Sequence, residues 1–278
     1  MSRAGDASRP IGVFDSGLGG LTAVKELRAI LPGEDIVYFG DTGRVPYGSR
    51  GRDIIISYAR QDIAFLLAKG VKIVLAACGT VSSTLLPEEA TGLPVEYLGV
   101  VAPASAAAAR ATRSGRVGVI GTEATVASGS YQRALAGIDA GIVCTTAACP
   151  LFVPLVENGH FAPGDRMAEW AAEEYLAPVK AAGVDTLILG CTHYPLLAGT
   201  IAAQMGPGVT LIDSGREAAL ALKDRLEAAG LLARTRQLGK ADYYVSDEPT
   251  RFHQLAQIFM GGADDVPARR IEIEDYHL

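Results

Sequence analysis

Two stretches of this chain carry a cysteine at the same place in the same pattern. Gly70-Val71-Lys72-Ile73-Val74-Leu75-Ala76-Ala77-Cys78 aligns with Gly183-Val184-Asp185-Thr186-Leu187-Ile188-Leu189-Gly190-Cys191. In each, a helix-ending Gly is followed by Val, an apolar run and the Cys; the next residues are Gly79-Thr80 and Thr192-His193. Upstream, Ile11-Gly12-Val13-Phe14-Asp15-Ser16 aligns with Val117-Gly118-Val119-Ile120-Gly121-Thr122, so both runs end in a small hydroxyl residue. A single Cys in an apolar run is ordinarily core filler. Cys144 and Cys149 have no repeat partner and read that way. A duplicated Cys at the tip of a duplicated run points instead to two thiols reaching one ligand from two halves.

Several chemistries use two thiols. A disulfide is disfavoured in a reducing compartment. Zinc finds no C-x-x-C pair, and His193 alone lies nearby in sequence. Gly17-Leu18-Gly19-Gly20 followed by Asp41 hints at dinucleotide binding, but Thr22 stands where G-x-G-x-x-G requires its last glycine. P-loop, G-x-S-x-G and H-E-x-x-H strings are absent. What remains is proton transfer at a carbon, with a base on one face and an acid on the other. Cysteine titrates near about 8.5 and its environment tunes it readily downward, which suits both tasks. Asp15 and His193 are the candidates to handle the protons of Cys78 and Cys191, respectively. Helix N-termini at the strand tips would offer N–H groups to a substrate carboxylate.

These residues must be held by a scaffold, and the sequence outlines one. Apolar runs at 11–14, 35–41, 71–78, 116–121, 141–149, 184–191 and 209–213 read as strands. Between them, 22–32, 52–70, 103–112, 122–136, a part of 161–183, 196–205 and 216–229 read as helices. Near-continuous apolar strands alternating with helices predict an α/β fold of doubly wound parallel sheets, covered on both faces. Ligands bind outside the carboxyl ends of such strands, where both cysteines fall. The tail after Gly261 is polar, and its last stretch, IEIEDYHL, is expected to be a short strand or disordered.

Composition sets outer bounds. With 278 residues, 49% hydrophobic and a net charge of −6, the chain has a globular composition, long enough for two halves. The acidic balance disfavours nucleic acid as a partner. No apolar run reaches a membrane span, so no membrane partner is expected. The opening MSRAGDASRP has no apolar core, which reads as a short disordered lead-in and not a secretory signal. A cytoplasmic location is expected, with the thiols reduced.

Longer strings sharpen the reading. IGVFDSGLGGLTAVKEL at 11–27, IVYFGDTGRVPYGSR at 36–50, AACGTVSS at 76–83, VGVIGTEATV at 117–126, CPLFVPLVENG at 149–159, LILGCTHYPLL at 187–197 and LIDSG at 211–215 resemble the glutamate racemases of the cofactor-independent aspartate/glutamate racemase superfamily. The resemblance implies interconversion of L- and D-glutamate, with D-glutamate supplied for peptidoglycan and with no pyridoxal phosphate, metal or nucleotide. It implies that Cys78 serves the D-enantiomer and Cys191 the L-enantiomer. Asp15 and His193 would assist them. Ser16, Pro46, Tyr47, Gly48, Thr80, Thr122, Thr125, Glu157 and Thr192 would lie at the substrate. It further implies two α/β domains related by a pseudo-twofold (1–100 plus 211–278, and 101–210) with the site in the cleft between them, and a homodimer. The sequence departs from the family at Gly79, where Asn is usual; that loss removes side-chain donors and acceptors from the substrate and leaves a backbone N–H. Aspartate racemisation on the same scaffold, or carboxylate binding without catalysis, are the alternatives.

Overall fold

The computed structural model describes residues 6–85, 87–235, 237–262 and 266–278. The first series is β1 (Ile11–Asp15), α1 (Leu21–Ile30), β2 (Ile36–Gly40), α2 (Arg52–Ala68), β3 (Ile73–Ala76), α3 (Gly79–Thr84) and β4 (Glu96–Gly99). After α4 (Val101–Ala111) comes a second: β5 (Arg116–Gly121), α5 (Glu123–Ser128), α6 (Ser130–Ile138), β6 (Val143–Ala148), α7 (Phe152–Glu157), α8 (Arg166–Ala181), β7 (Thr186–Leu189), α9 (Ala198–Met205) and β8 (Thr210–Asp213). The chain then returns through α10 (Ser214–Ala229), β9 (Ala241–Val245), α11 (Pro249–Met260) and β10 (Ala268–Arg270).

Among the described residues every strand pairing is parallel. One sheet has the order β10-β9-β2-β1-β3-β4 and the other β6-β5-β7-β8. The order 2-1-3-4 thus recurs as 6-5-7-8, and the two Cys-bearing connections follow equivalent strands, β3 and β7. β1, β2 and β3 are buried along their whole length, as their unbroken apolar runs require. Packing reproduces the repeat in detail. A Cβ on Gly12 would stand 3.0 Å from the Val71 side chain; on Gly118 it would stand 2.8 Å from Leu187 and 3.3 Å from Val184. Both glycines let the valine after a helix-ending glycine press onto the first strand of its half.

The seven expected strands form: β1 runs one residue longer, β5 keeps its bounds and the other five are trimmed by a few residues. The expected helix at 122–136 is two helices, because Gly129 adopts φ +65° and ends α5 there. β8 pairs with β7, so the second sheet continues to Asp213, past the expected boundary at 210, and the return begins with α10. α10 packs on both α1 and α4, tying the halves together. In the tail, β10 joins the sheet edge beside β9, while the stretch expected as a short strand or disordered, 271–278, forms no strand: it makes one 3-10 turn, Ile273–Asp275, with Ile273 buried. Residues 1–5 of the expected lead-in lie outside the described residues. Residues 6–10 are anchored: Asp6 accepts from the Ser8 N–H at 2.9 Å, and the Ala7 carbonyl accepts from Lys72 at 2.8 Å. Among the described residues no helix is long and apolar enough to cross a membrane.

Lys72 is fully enclosed beneath the first sheet, at the end of β3 remote from the Cys78 tip. It donates to Glu34 and to the Leu231 carbonyl, the latter at 2.9 Å, while Glu34 also accepts from the Ala233 N–H at 2.7 Å. Removing one member of such a pair leaves the other charged and buried. Lys72→Met is expected to cost about 3–5 kcal/mol in urea unfolding, while the fraction that stays folded retains its activity.

Candidate active site

Strand tips from both halves converge on one cleft of about 410 Å³. Cys78 is the residue before α3, two positions beyond β3, and Cys191 stands two positions beyond β7. β1 delivers Asp15 and Ser16, and β5 delivers Thr122, which caps α5 by accepting from the Thr125 N–H. The wall includes Ser16, Pro46, Tyr47, Gly48, Cys78, Gly79 and Thr80 from the first half, with Thr122, Glu157, Cys191, Thr192 and His193 from the second.

Both thiols are almost shut off from solvent, Cys78 at 4% and Cys191 at 9% exposure. The Cys78 thiol lies 3.6 Å from the Ser16 hydroxyl, to which it donates. Burial pushes its pKa up to about 11, and the Asp15 charge adds to the rise, against hydrogen bonds from the Val81 N–H and from Ser16. Burial likewise pushes the Cys191 thiol well up, opposed by the His193 N–H, with Cys78 and Asp15 adding to the rise. Each sulfur therefore rests as a neutral thiol. This reverses the downward tuning expected from the sequence, because desolvation outweighs the local donors.

Behind Cys191 runs a chain of polar contacts. Its Sγ is 4.0 Å from His193 Nδ1, and His193 Nε2 is 3.0 Å from Glu157 Oε1. Asp15 is buried, 1% exposed, and stands behind the cleft wall rather than in it. Its carboxylate accepts from the Gly17 N–H at 2.9 Å and from the Thr192 hydroxyl at 3.5 Å, so it bridges the halves and reaches Cys78 through its charge. Burial raises the Asp15 pKa, against the opposing His193 charge and the Gly17 and Gly20 N–H groups.

The loop carrying Pro46-Tyr47-Gly48 hangs on a buried ionic knot. Arg44 donates to Asp41 at 2.6 Å and to Asp62 at 3.1 Å, and its guanidinium lies 4.1 Å from the centre of the Tyr58 ring. The Tyr47 hydroxyl donates to Asp41 and sits 3.3 Å from Asp62 Oδ2. Its polar end is therefore committed away from the cleft, and its ring supplies the wall. Burial, followed by the Asp41 charge, raises Asp62 well above the usual carboxylate range. On the far wall Thr80 and Thr122 join hydroxyls at 2.9 Å. Thr125 does not line the cleft; it is buried behind Thr122, 3.0 Å from its hydroxyl, and so holds it in place.

The model of the Asp/Glu/Hydantoin racemase family matches residues 24–222. The chain belongs to that family. It is an isomerase. It is 43% identical over 254 residues to the glutamate racemase of Geobacter metallireducens, covering 91% of this chain and 93% of that one. The structure superposes on a glutamate racemase isoform from Bacillus anthracis with a TM-score of 0.90, at 33% identity, over 95% of this chain and 97% of that chain. It is similar as well to the glutamate racemase of Francisella tularensis in complex with D-glutamate, with a TM-score of 0.88, 34% identity, and 97% and 100% coverage. The family's two-domain architecture agrees with the paired sheets described above.

Sequence reading overlooked part of the wall. Cys149, expected as core filler, is buried but also borders the cleft, beside Pro150 and Val153. The string CPLFVPLVENG carried that signal as a block, and nothing in it singled out Cys149. Among the described residues no group of three or more His, Cys, Asp or Glu is placed to hold a metal ion.

Alkylation follows the thiolate fraction. For Cys78, with its pKa pushed up to about 11, iodoacetamide labelling read by peptide mass spectrometry is expected to accelerate about tenfold per pH unit between pH 7 and 9. A plateau inside that range would contradict the burial argument.

Proposed function

We propose that the chain interconverts L- and D-glutamate by proton transfer at Cα between Cys78 and Cys191. The observation that carries this reading is that two thiols, contributed by equivalent strand tips of the two sheets, border a single cleft. With D-glutamate bound, Cys78 as thiolate takes the α-proton and becomes a thiol, and the electron pair left on Cα is shared with the α-carboxylate. Cys191 as thiol then gives its proton to the other face and becomes the thiolate. The L-to-D direction runs the same steps backwards. One proton enters and one leaves, so no redox partner or cofactor is needed.

Asp15 and His193 are assigned to move protons to and from these sulfurs. For His193 the support is its place between Cys191 and Glu157. For Asp15 it is a buried carboxylate whose charge reaches both thiols. α3 and α5 begin at the cleft wall, and the first N–H groups of a helix have no partner within it. The substrate carboxylates are assigned there, with Ser16, Thr80, Thr122 and Thr192 hydroxyls alongside. Charging a thiol that burial keeps neutral falls to substrate binding, which brings the substrate ammonium into the cleft.

The working form proposed is a cytoplasmic homodimer that supplies D-glutamate for peptidoglycan. The family resemblance supports the dimer and the role, and four free cysteines fit a reducing compartment.

Cys78→Ala and Cys191→Ala are each expected to lower racemisation of glutamate roughly 10²–10⁴-fold, followed by circular dichroism of the amino acid. Full turnover by either variant would overturn the two-thiol assignment. Turnover of aspartate in preference to glutamate would keep the chemistry and change the substrate.

A further inference from the structure

We propose that Gly79 is a positioning residue: its bare backbone sets how closely the two thiol-bearing tips approach. The inference rests on the proposed two-thiol reaction and goes on to say what fixes its geometry.

A Cβ built on Gly79 would lie 2.0 Å from the Gly190 carbonyl oxygen, 3.0 Å from the Gly190 carbonyl carbon and 3.6 Å from the Cys191 Cα. All three atoms are backbone, so no rotamer change can relieve the overlap. Gly79 directly follows Cys78, and Gly190 directly precedes Cys191. The contact therefore lies one residue from each sulfur-bearing residue and spans the two halves. The same tip is gripped a second time. A Cβ on Gly19 would stand 2.1 Å from Thr192 Oγ1 and 2.6 Å from His193 Nδ1. Beside it the Thr22 hydroxyl donates to the Thr192 carbonyl at 3.0 Å. Two side-chain-free surfaces of the first half thus enclose residues 190–193 of the second.

This changes the meaning of the departure at position 79. If the asparagine usual in the family had simply been lost, its space would be left empty, facing the substrate. Here the space next to the Gly79 Cα is filled by the opposite backbone. Any side chain at 79 must push the tips apart by about 1 Å before the contact is tolerable, and misplacement on that scale costs about 10²-fold in rate.

The two readings predict opposite results. With glutamate and the full chain, Gly79→Ala and Gly79→Asn are both expected to lower kcat about 10²-fold, with KM changed far less. A second readout separates spacing from simple weakening of the fold. In deuterated water, D-glutamate that loses its α-proton either inverts or is recaptured on the same face. Spreading the tips should raise the ratio of α-deuterated D-glutamate to L-glutamate several-fold, whereas a smaller folded fraction lowers both alike. If the Gly79 variants do not fold by far-ultraviolet circular dichroism, Gly19→Ala tests the second contact by the same ratio. Its expected change is smaller because a side chain can yield. Wild-type rates and ratios in folded variants would overturn the proposal, as would a Gly79→Asn enzyme faster than wild type. A wild-type chain that exchanges no α-proton of glutamate would sink the proposed function, and this inference with it.

Discussion

Desolvation of two sulfur atoms is the interaction on which the rest of the site depends. A thiol in water is partly ionised near neutral pH; the same thiol closed off by protein gives up its proton reluctantly. In this molecule both Cys78 and Cys191 are buried at the cleft, and a charge on Cys78 adds to the cost of ionising Cys191. Both thiols are therefore held toward their protonated form.

That closure is a property of the scaffold. Parallel strands put their carboxyl ends on one side of each sheet, and the repeated strand order brings equivalent tips of both sheets to one cavity. Partly buried polar links then hold the tips: Asp15 to Thr192, Thr22 to Thr192 and Thr80 to Thr122 each cross from one half to the other. The Arg44 knot steadies the Pro46-Tyr47-Gly48 wall from behind, with two carboxylates and one guanidinium packed where water does not compete. Burial, and then the Asp41 charge, hold the Asp62 carboxyl well above the usual carboxylate range.

Legibility from sequence followed the strength of the local signal. Buried parallel strands such as Ile73–Ala76 and Thr186–Leu189 stand out, because both faces need apolar side chains. The elements read poorly are short or marginal. GTVSST in α3 looks like a hydroxyl-rich turn, EYLG in β4 begins on an exposed Glu, and α7 is six residues long with an internal proline. β9 and β10 form at the sheet edge through long-range pairing with β2 and with each other, which no local window reports.

The candidate residues could be read in the linear chain: Cys78 and Cys191 at the same offset in matching runs, Asp15 near the end of another run and His193 two positions past Cys191. The sequence also set the parallel α/β architecture, since unbroken apolar strands have few other ways to hide both faces. Other matters were settled only when distant segments met. The direction of the thiol shift depends on water being excluded by both halves at once. The carboxylate of Asp15 turns toward Thr192, 177 positions along the chain. The role of Gly79 depends on the Gly190 carbonyl, 2.0 Å from where a Cβ would stand. Residue types travel with the sequence; solvent exclusion and backbone approach are pairwise quantities that exist only after folding.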